Sequence, residues 1–265
     1  PGDRSVRHYE HPETCSLMLD EFTSGYSWLN APLNTCSGQD SMTAEIGKSD
    51  DGRRLKSELL NYKRHRILEQ ACHLFYELGY SRTTLEMVAN ALHVTKPFLY
   101  SYFKNKEAIL AQICETGISE SLEQLEYALA LPGTHRDRFI ELVRRVSYVV
   151  IQRQEHIVVY QREMKNLNRT DAQRILRERL DFDRQIAAHL RAGTESGEFD
   201  LAPDALTSVW IGGLISWIPV WYSEGGRLSK HDVVDQVVSS CLRMIGAEDL
   251  RPEERLTEEM MAEYE

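Results

Sequence analysis

Cysteine is sparse in this chain. Five residues, Cys15, Cys36, Cys72, Cys114 and Cys241, are scattered over 265 positions with no CxxC pair. An odd, dispersed set argues against a disulfide framework, and the pattern is that of a reduced, cytoplasmic protein whose helical cysteines pack as small apolar residues. The nine histidines fall without metal-ligand spacing. His156 with Glu163, or Glu178 with Asp181 and Asp183, come nearest to a metal constellation, but salt bridging on helix surfaces accounts for them better. No metal and no cofactor is therefore expected. Long apolar runs are also missing. The longest, VWIGGLISWIPVWY at 209–222, is too short to span a bilayer and is interrupted by Gly212, Gly213 and Pro219. The chain does not open on a basic segment followed by an apolar one, so no secretory signal is expected. HExxH, GxSxG, GxxxxGK[ST] and glycine-rich dinucleotide fingerprints are all absent, and no enzyme is expected.

What is present is an uneven charge distribution. The net charge of −10 argues against indiscriminate nucleic-acid binding. Yet residues 53–106 carry ten Lys and Arg against four Asp and Glu, while residues 1–52 carry three against nine and residues 107–265 carry 18 against 28. One basic block on an acidic body suits a protein that touches DNA with a single module.

Residues 1–55 show no sustained period and read as a disordered or extended leader. The polar stretch that follows Met42 reads as a natural start, with residues 1–41 lying upstream of it. From Lys56 the pattern is helical. Ile67, Leu68, Ala71, Cys72, Leu74, Phe75 and Leu78 make one apolar helix face, with Lys63, Arg64 and Arg66 on the other side and Gly79 as the stop. Further helices are predicted at 106–131, 135–153, 155–166, 170–193, 203–224 and 230–245, punctuated by Pro132-Gly133, Gly193 with Gly197, Gly225-Gly226 and Gly246. HIVVYQ at 156–161 is locally β-rich, but its helical flanks keep it in a helix. The expected fold is all-α. A basic helical block over 56–106 precedes a larger helical body over 107–246 and a flexible acidic tail over 247–265.

The segment TLEMVANALHVTKPFLYSYFKNKEAIL at 84–110 carries the function. Thr83 and Glu86 have capping-box spacing, which predicts a helix from about Thr84. Val88, Ala91 and Leu92 give that helix its buried face, and His93-Val94 makes a turn. Thr95 can cap the next helix, with Pro97 in its first turn, where a missing N–H costs nothing. Leu99 and Phe103, four apart, must face inward. Lys96, Pro97, Phe98, Tyr100 and Ser101 are left facing outward. Lys96 can donate to guanine O6 and N7 or to a phosphate, and Phe98 or Pro97 can pack on a thymine methyl. Tyr100 and Lys106 can reach phosphates.

This string, with its turn, T-K-P and L-Y-x-Y-F-x-N-K-E, resembles the DNA-binding domain of the TetR (tetracycline-repressor-like) family over residues 60–110. The resemblance implies that Thr84, Lys96, Pro97, Phe98, Tyr100, Ser101, Tyr102 and Lys106 occupy DNA-contacting positions, with Thr95 beside them. Two departures stand out. His93 replaces the family's usual glycine at a turn position that calls for positive φ. Phe98 replaces a commoner small residue at a base-facing position.

The resemblance further implies a homodimer on a palindromic operator, acting as a repressor and released by a small-molecule effector. Residues 203–246 read as two apolar helices that form a four-helix bundle with the same pair of a second subunit. Gly212, Gly213, Ser216, Val233, Val237 and Cys241 are the expected interface. The helices between would enclose a hydrophobic effector, with Ile113, Phe139, Tyr148, Tyr160, Met164, Phe182, Trp217 and Trp221 as candidate lining. The string REMKNL, then GEFD, then SWxxxWYxxGGxLS, looks like a branch that senses acyl-CoA, in which case Arg162, Lys165 or Arg184 would meet phosphates. A second reading is a ligand-binding or interaction module that kept the fold and lost DNA binding. The intact Lys96, Tyr100 and Lys106 count against it.

Overall fold

A computed structural model describes residues 50–201, 205–261 and 263–264. The proposed start at Met42 lies outside them. Eleven α-helices are defined among the described residues. The first four are α1 (Asp50–Leu78), α2 (Leu85–Ala91), α3 (Lys96–Tyr100) and α4 (Lys106–Ala130). The body follows with α5 (His135–Gln152), α6 (Gln154–Glu163), a 3-10 turn (Met164–Asn166) and α7 (Arg169–Glu195). It ends with α8 (Ala205–Ser216), α9 (Ile218–Trp221), α10 (Lys230–Met244), a second 3-10 turn (Pro252–Glu254) and α11 (Glu258–Met261). The fold is all-α, and HIVVYQ sits inside α6. No helix among the described residues is long and apolar enough to cross a membrane.

Several boundaries differ from the sequence reading. Helix α1 begins at Asp50 rather than Lys56, and Arg54 pairs with Glu58 one turn on at 3.0 Å. The stretch read as one helix over 203–224 divides at Trp217, where a new short helix starts with Pro219 in its first turn. Of the glycine pair Gly193 and Gly197, it is Gly197, at φ 79, that follows the end of α7 at Glu195, while Gly193 lies inside the helix. It serves a close approach instead: a Cβ there would lie 2.1 Å from the Phe199 ring.

Two apolar cores form. One joins α1–α3 to the start of α4, through Ile67, Phe75, Val88, Leu99, Phe103, Ile109 and Ile113, and takes in Val159 of α6 and Ile175 of α7. The other fills the body with α5, α7, α8 and α10, and includes Leu125 and Ala128 from the far end of α4. Helix α4 thus belongs to both cores, as its unbroken apolar pattern suggests.

The tail is not free. Leu250 and Leu256 are buried in the body core. Arg136 donates to both carboxylate oxygens of Glu254 at 2.9 Å and to the carbonyl of Asp249 at 2.8 Å. Arg144 donates to the Glu254 carbonyl, and Tyr264 donates to Glu141 at 3.0 Å. The Arg136 guanidinium, then Arg251, hold the Glu254 carboxyl well below the usual carboxylate range. Acidic composition misleads here because the acids have buried arginines to meet.

Candidate nucleic-acid interface

Helices α2 and α3 meet at a turn set by two caps. Thr84, not Thr83, caps α2, its hydroxyl accepting from Met87 N–H at 3.2 Å. Thr83 is buried, with its hydroxyl shared between the carbonyls of Leu74 and Gly79. His93 takes φ 55, the left-handed conformation its place in the turn demands. The surrounding bonds, Val94 N–H to Ala89 O at 2.9 Å and His93 N–H to Asn90 O at 3.1 Å, close α2 with the Schellman pattern. Thr95 stands at the N-cap of α3 but makes no side-chain capping bond.

Leu99 and Phe103 are buried, which fixes the roll of α3. Thr84, Thr95, Lys96, Pro97, Tyr100 and Ser101 are exposed, with Tyr100 open over half its surface. Phe98 and Tyr102 are only half-exposed. Their rings pack on each other at 5.1 Å and lean on the core, so Phe98 offers an edge rather than a free side chain. Ser101 donates its hydroxyl proton to Phe98 O at 2.6 Å. Bonded so, it can accept from a partner but has no proton for a phosphate.

Lys106 departs furthest from expectation. Its ammonium donates to the carbonyls of Tyr80 and Thr83, both at 2.8 Å, and lies 4.1 Å from the Tyr80 ring centre. Desolvation lowers its pKa. It pins the start of α4 to the α1–α2 turn, with two of its three protons engaged there. Arg64 is likewise no part of a solvated basic face. It donates to Gln112 Oε1 and, at 3.0 Å, to Tyr102 O, with its guanidinium 4.3 Å from the Phe103 ring centre. The sequence held the signal: Arg64 precedes Ile67, Leu68, Ala71 and Phe75 at helical spacing on the same side of α1.

The DNA-reading helices rest on α6 through polar contacts that sequence reasoning did not anticipate. His73 meets Glu155 at 2.9 Å, and Tyr80 N–H donates to Glu163 at 3.2 Å. The bond from Glu155 raises the His73 pKa. Glu163 and Asp183, considered above for metals, are engaged otherwise. Glu163 holds Tyr80 and Asn166, and the buried Asp183 pairs with Arg179 at 3.1 Å.

The residues expected in the effector pocket do not converge. Phe139, Tyr148 and Phe182 are buried in the body core, Ile113 in the other core, and Tyr160 and Met164 are half-buried. Trp217 and Trp221 are half-exposed to solvent, not enclosed. None of these eight borders the cavity of about 450 Å³ at the α5–α6 corner. The expected dimer residues also divide. Val233, Val237 and Cys241 face the protomer's own core, because α10 packs its apolar side onto α5 and α8. Gly212 is buried against Arg179, whose guanidinium would lie 2.6 Å from an added Cβ. Gly213 has open space beside it, and Ser216 is half-exposed. The large apolar residues that α8 and α9 leave in the open are instead Leu206, Trp210, Leu214, Trp217, Val220 and Trp221, a stripe along the two helices.

Comparison with known proteins agrees with this architecture. Residues 67–113 match the family described as bacterial regulatory proteins, tetR family, and residues 132–245 match the tetracyclin repressor-like C-terminal domain. The chain is 28% identical over 137 residues to the HTH-type regulator YhgD of Bacillus subtilis, covering 49% of this chain and 66% of that protein. It is 27% identical over 183 residues to the HTH-type transcriptional repressor KstR2 of Rhodococcus jostii, covering 68% of this chain and 89% of that protein. A solved structure of AibR in complex with isovaleryl coenzyme A and operator DNA shares the fold with a TM-score of 0.61 at 21% identity, covering 70% of this chain and 99% of that one. With an inward-locked α3 presenting Lys96, Pro97 and Tyr100, and two family domains matched over well more than half its length, the chain belongs to the TetR family of transcriptional regulators.

Proposed function

We propose that the protein is a cytoplasmic, homodimeric repressor that binds a palindromic operator and leaves it when a hydrophobic small molecule, such as an acyl-CoA, binds the body. The observation that carries the DNA-binding part is the outward set Lys96, Pro97 and Tyr100 on a helix whose other side is locked by Leu99 and Phe103. Lys96 and Pro97 would read base edges and Tyr100 would meet a phosphate. Thr84 and Thr95 would bring hydroxyls to the backbone.

The stripe of Trp210, Leu214, Trp217 and Trp221 supports a two-fold interface through α8 and α9. An apolar patch this concentrated marks an interaction surface. In a C2 dimer the two recognition helices would lie about 34–36 Å apart, one DNA turn.

Release follows from α4 and α6. Helix α4 enters both cores, and α6 holds α1 through Glu155 and the α1–α2 turn through Glu163. A ligand that shifts either helix changes the half-site spacing. Coupling of about 1–3 kcal/mol alters operator affinity roughly 5- to 150-fold. The acyl-CoA class is supported by the likeness to AibR, which was solved with isovaleryl coenzyme A and operator DNA. A gel shift with DNA flanking the protein's own gene, with and without isovaleryl- or decanoyl-coenzyme A, tests the reading. A specific complex dissolved by a thioester is the expected result. Absence of any sequence-specific complex would leave the ligand-binding module without DNA function as the better account.

A further inference from the structure

The cavity of about 450 Å³ at the α5–α6 corner is built differently from the rest of the body. Its lining is mainly polar: Arg153 and Lys230 bring two cations to it, while Ile151 and Tyr222 show it little of their surface. Gln152 and Gln154 also line it. Both cations are paired only with carboxylates that solvent reaches. Lys230 meets Glu224 at 2.9 Å, and the Glu224 side chain is 77% exposed. Arg153 donates to Glu120 of α4 at 2.7 Å, with Glu120 one-third exposed. Lys230 also lies within electrostatic reach of Tyr148 and Tyr222.

We propose that this cavity is a binding site for the anionic group, carboxylate or phosphate, of an organic ligand, which takes Lys230 and Arg153 from Glu224 and Glu120. An ion pair to a solvated glutamate is a weak competitor, because water screens it and a long side chain must be held still. A single ligand anion that spans both cations replaces two such pairs at once. The guanidinium forms paired hydrogen bonds to either anion, while the ammonium acts as a point charge.

The position of the site explains how occupancy reaches DNA. Arg153 is the junction residue between α5 and α6, and it grips α4 through Glu120. Gln154 lines the cavity, and the next residue, Glu155, holds His73 of α1. An anion that draws Arg153 away from Glu120 loosens α4 and moves the start of α6 together with its hold on the DNA-reading helices. This inference rests on the reading of the chain as a ligand-released regulator, and its test separates the two.

Isothermal titration calorimetry of the full chain with decanoate, inorganic phosphate, coenzyme A and decanoyl-coenzyme A is compared among wild type, Lys230→Gln, Arg153→Gln and Glu224→Gln. At least one anion is expected to bind wild type. Its affinity should fall about tenfold or more in Lys230→Gln and Arg153→Gln, since a charged hydrogen bond is lost. It should rise in Glu224→Gln, whose exposed loop position poses no folding problem and whose competing charge is gone. Which probe binds identifies the anion as carboxylate or phosphate. No binding by any probe at millimolar concentration, or equal affinity in all four proteins, overturns the site. If decanoyl-coenzyme A frees operator from Lys230→Gln as readily as from wild type, the site falls and the effector reading stands. If binding depends on Lys230 but never disturbs the operator complex, the site stands and ligand release falls.

Discussion

Among the aromatic side chains left in the open, those on α3 and those on α8 and α9 are set apart by their neighbours. On α3, Tyr100 stands beside Lys96, Thr95 and Ser101. On α8 and α9, Trp210, Trp217 and Trp221 stand beside Leu206, Leu214 and Val220. The first group mixes a cation, hydroxyls and ring edges and suits a charged, hydrated partner. The second is apolar throughout and suits a surface like itself. Where exposed aromatics cluster, the residues around them indicate what kind of partner the surface suits.

The largest effect is expected where the comparison is between an open and a closed face. Val237→Glu puts a charge into the protomer's core and should cost about 3–5 kcal/mol, seen as loss of the cooperative unfolding transition. A stable Val237→Glu monomer would return α10 to the dimer interface. The double change Trp210→Glu and Trp217→Glu should keep its helical spectrum, sediment as a monomer at micromolar concentration, and lose about 100-fold or more in operator affinity, because two half-sites no longer act together. Persistence of the dimer would remove the stripe from the interface.

Next come the two kinds of DNA-side residue. Lys106→Ala should lower stability by about 2 kcal/mol in urea titration, because two carbonyls lose a charged donor. Tyr100→Ala and Lys96→Ala should leave the urea midpoint in place and each weaken operator binding by about 1–3 kcal/mol. Unchanged stability in Lys106→Ala together with a flatter salt slope would make Lys106 a phosphate ligand after all. The smallest effect concerns His73. Its pKa is raised above 6.5 by Glu155, so the contact contributes fully below pH 6.5 and fades as pH rises through the raised value. Both side chains are more than a third exposed, so solvent screening holds the contribution to below about 1 kcal/mol. The stability gap between wild type and His73→Ala should narrow from pH 6 to pH 8.5. A constant gap would show that the contact does not depend on the histidine's charge.

The sequence by itself determined the all-helical class, the turn, the inward pair Leu99 and Phe103, and the strain at His93. Each of these follows from local spacing and backbone sterics, which act within a few residues. It also held the sharing of α4 between both cores, because the apolar pattern runs on along the helix. Only the tertiary structure decided which apolar side of α8 and α10 turns inward, since both sides of α8 are apolar enough for a core. It placed Trp217 and Trp221 outside and Val237 and Cys241 inside, and it laid Gly212 against Arg179. It likewise decided the work of the charged residues. Lys106, Arg64 and Arg136 look alike in sequence to solvated cations, and a carbonyl or carboxylate brought from a distant helix or strap is what draws each inward. Such partners are dozens of residues away, so no local pattern could have named them.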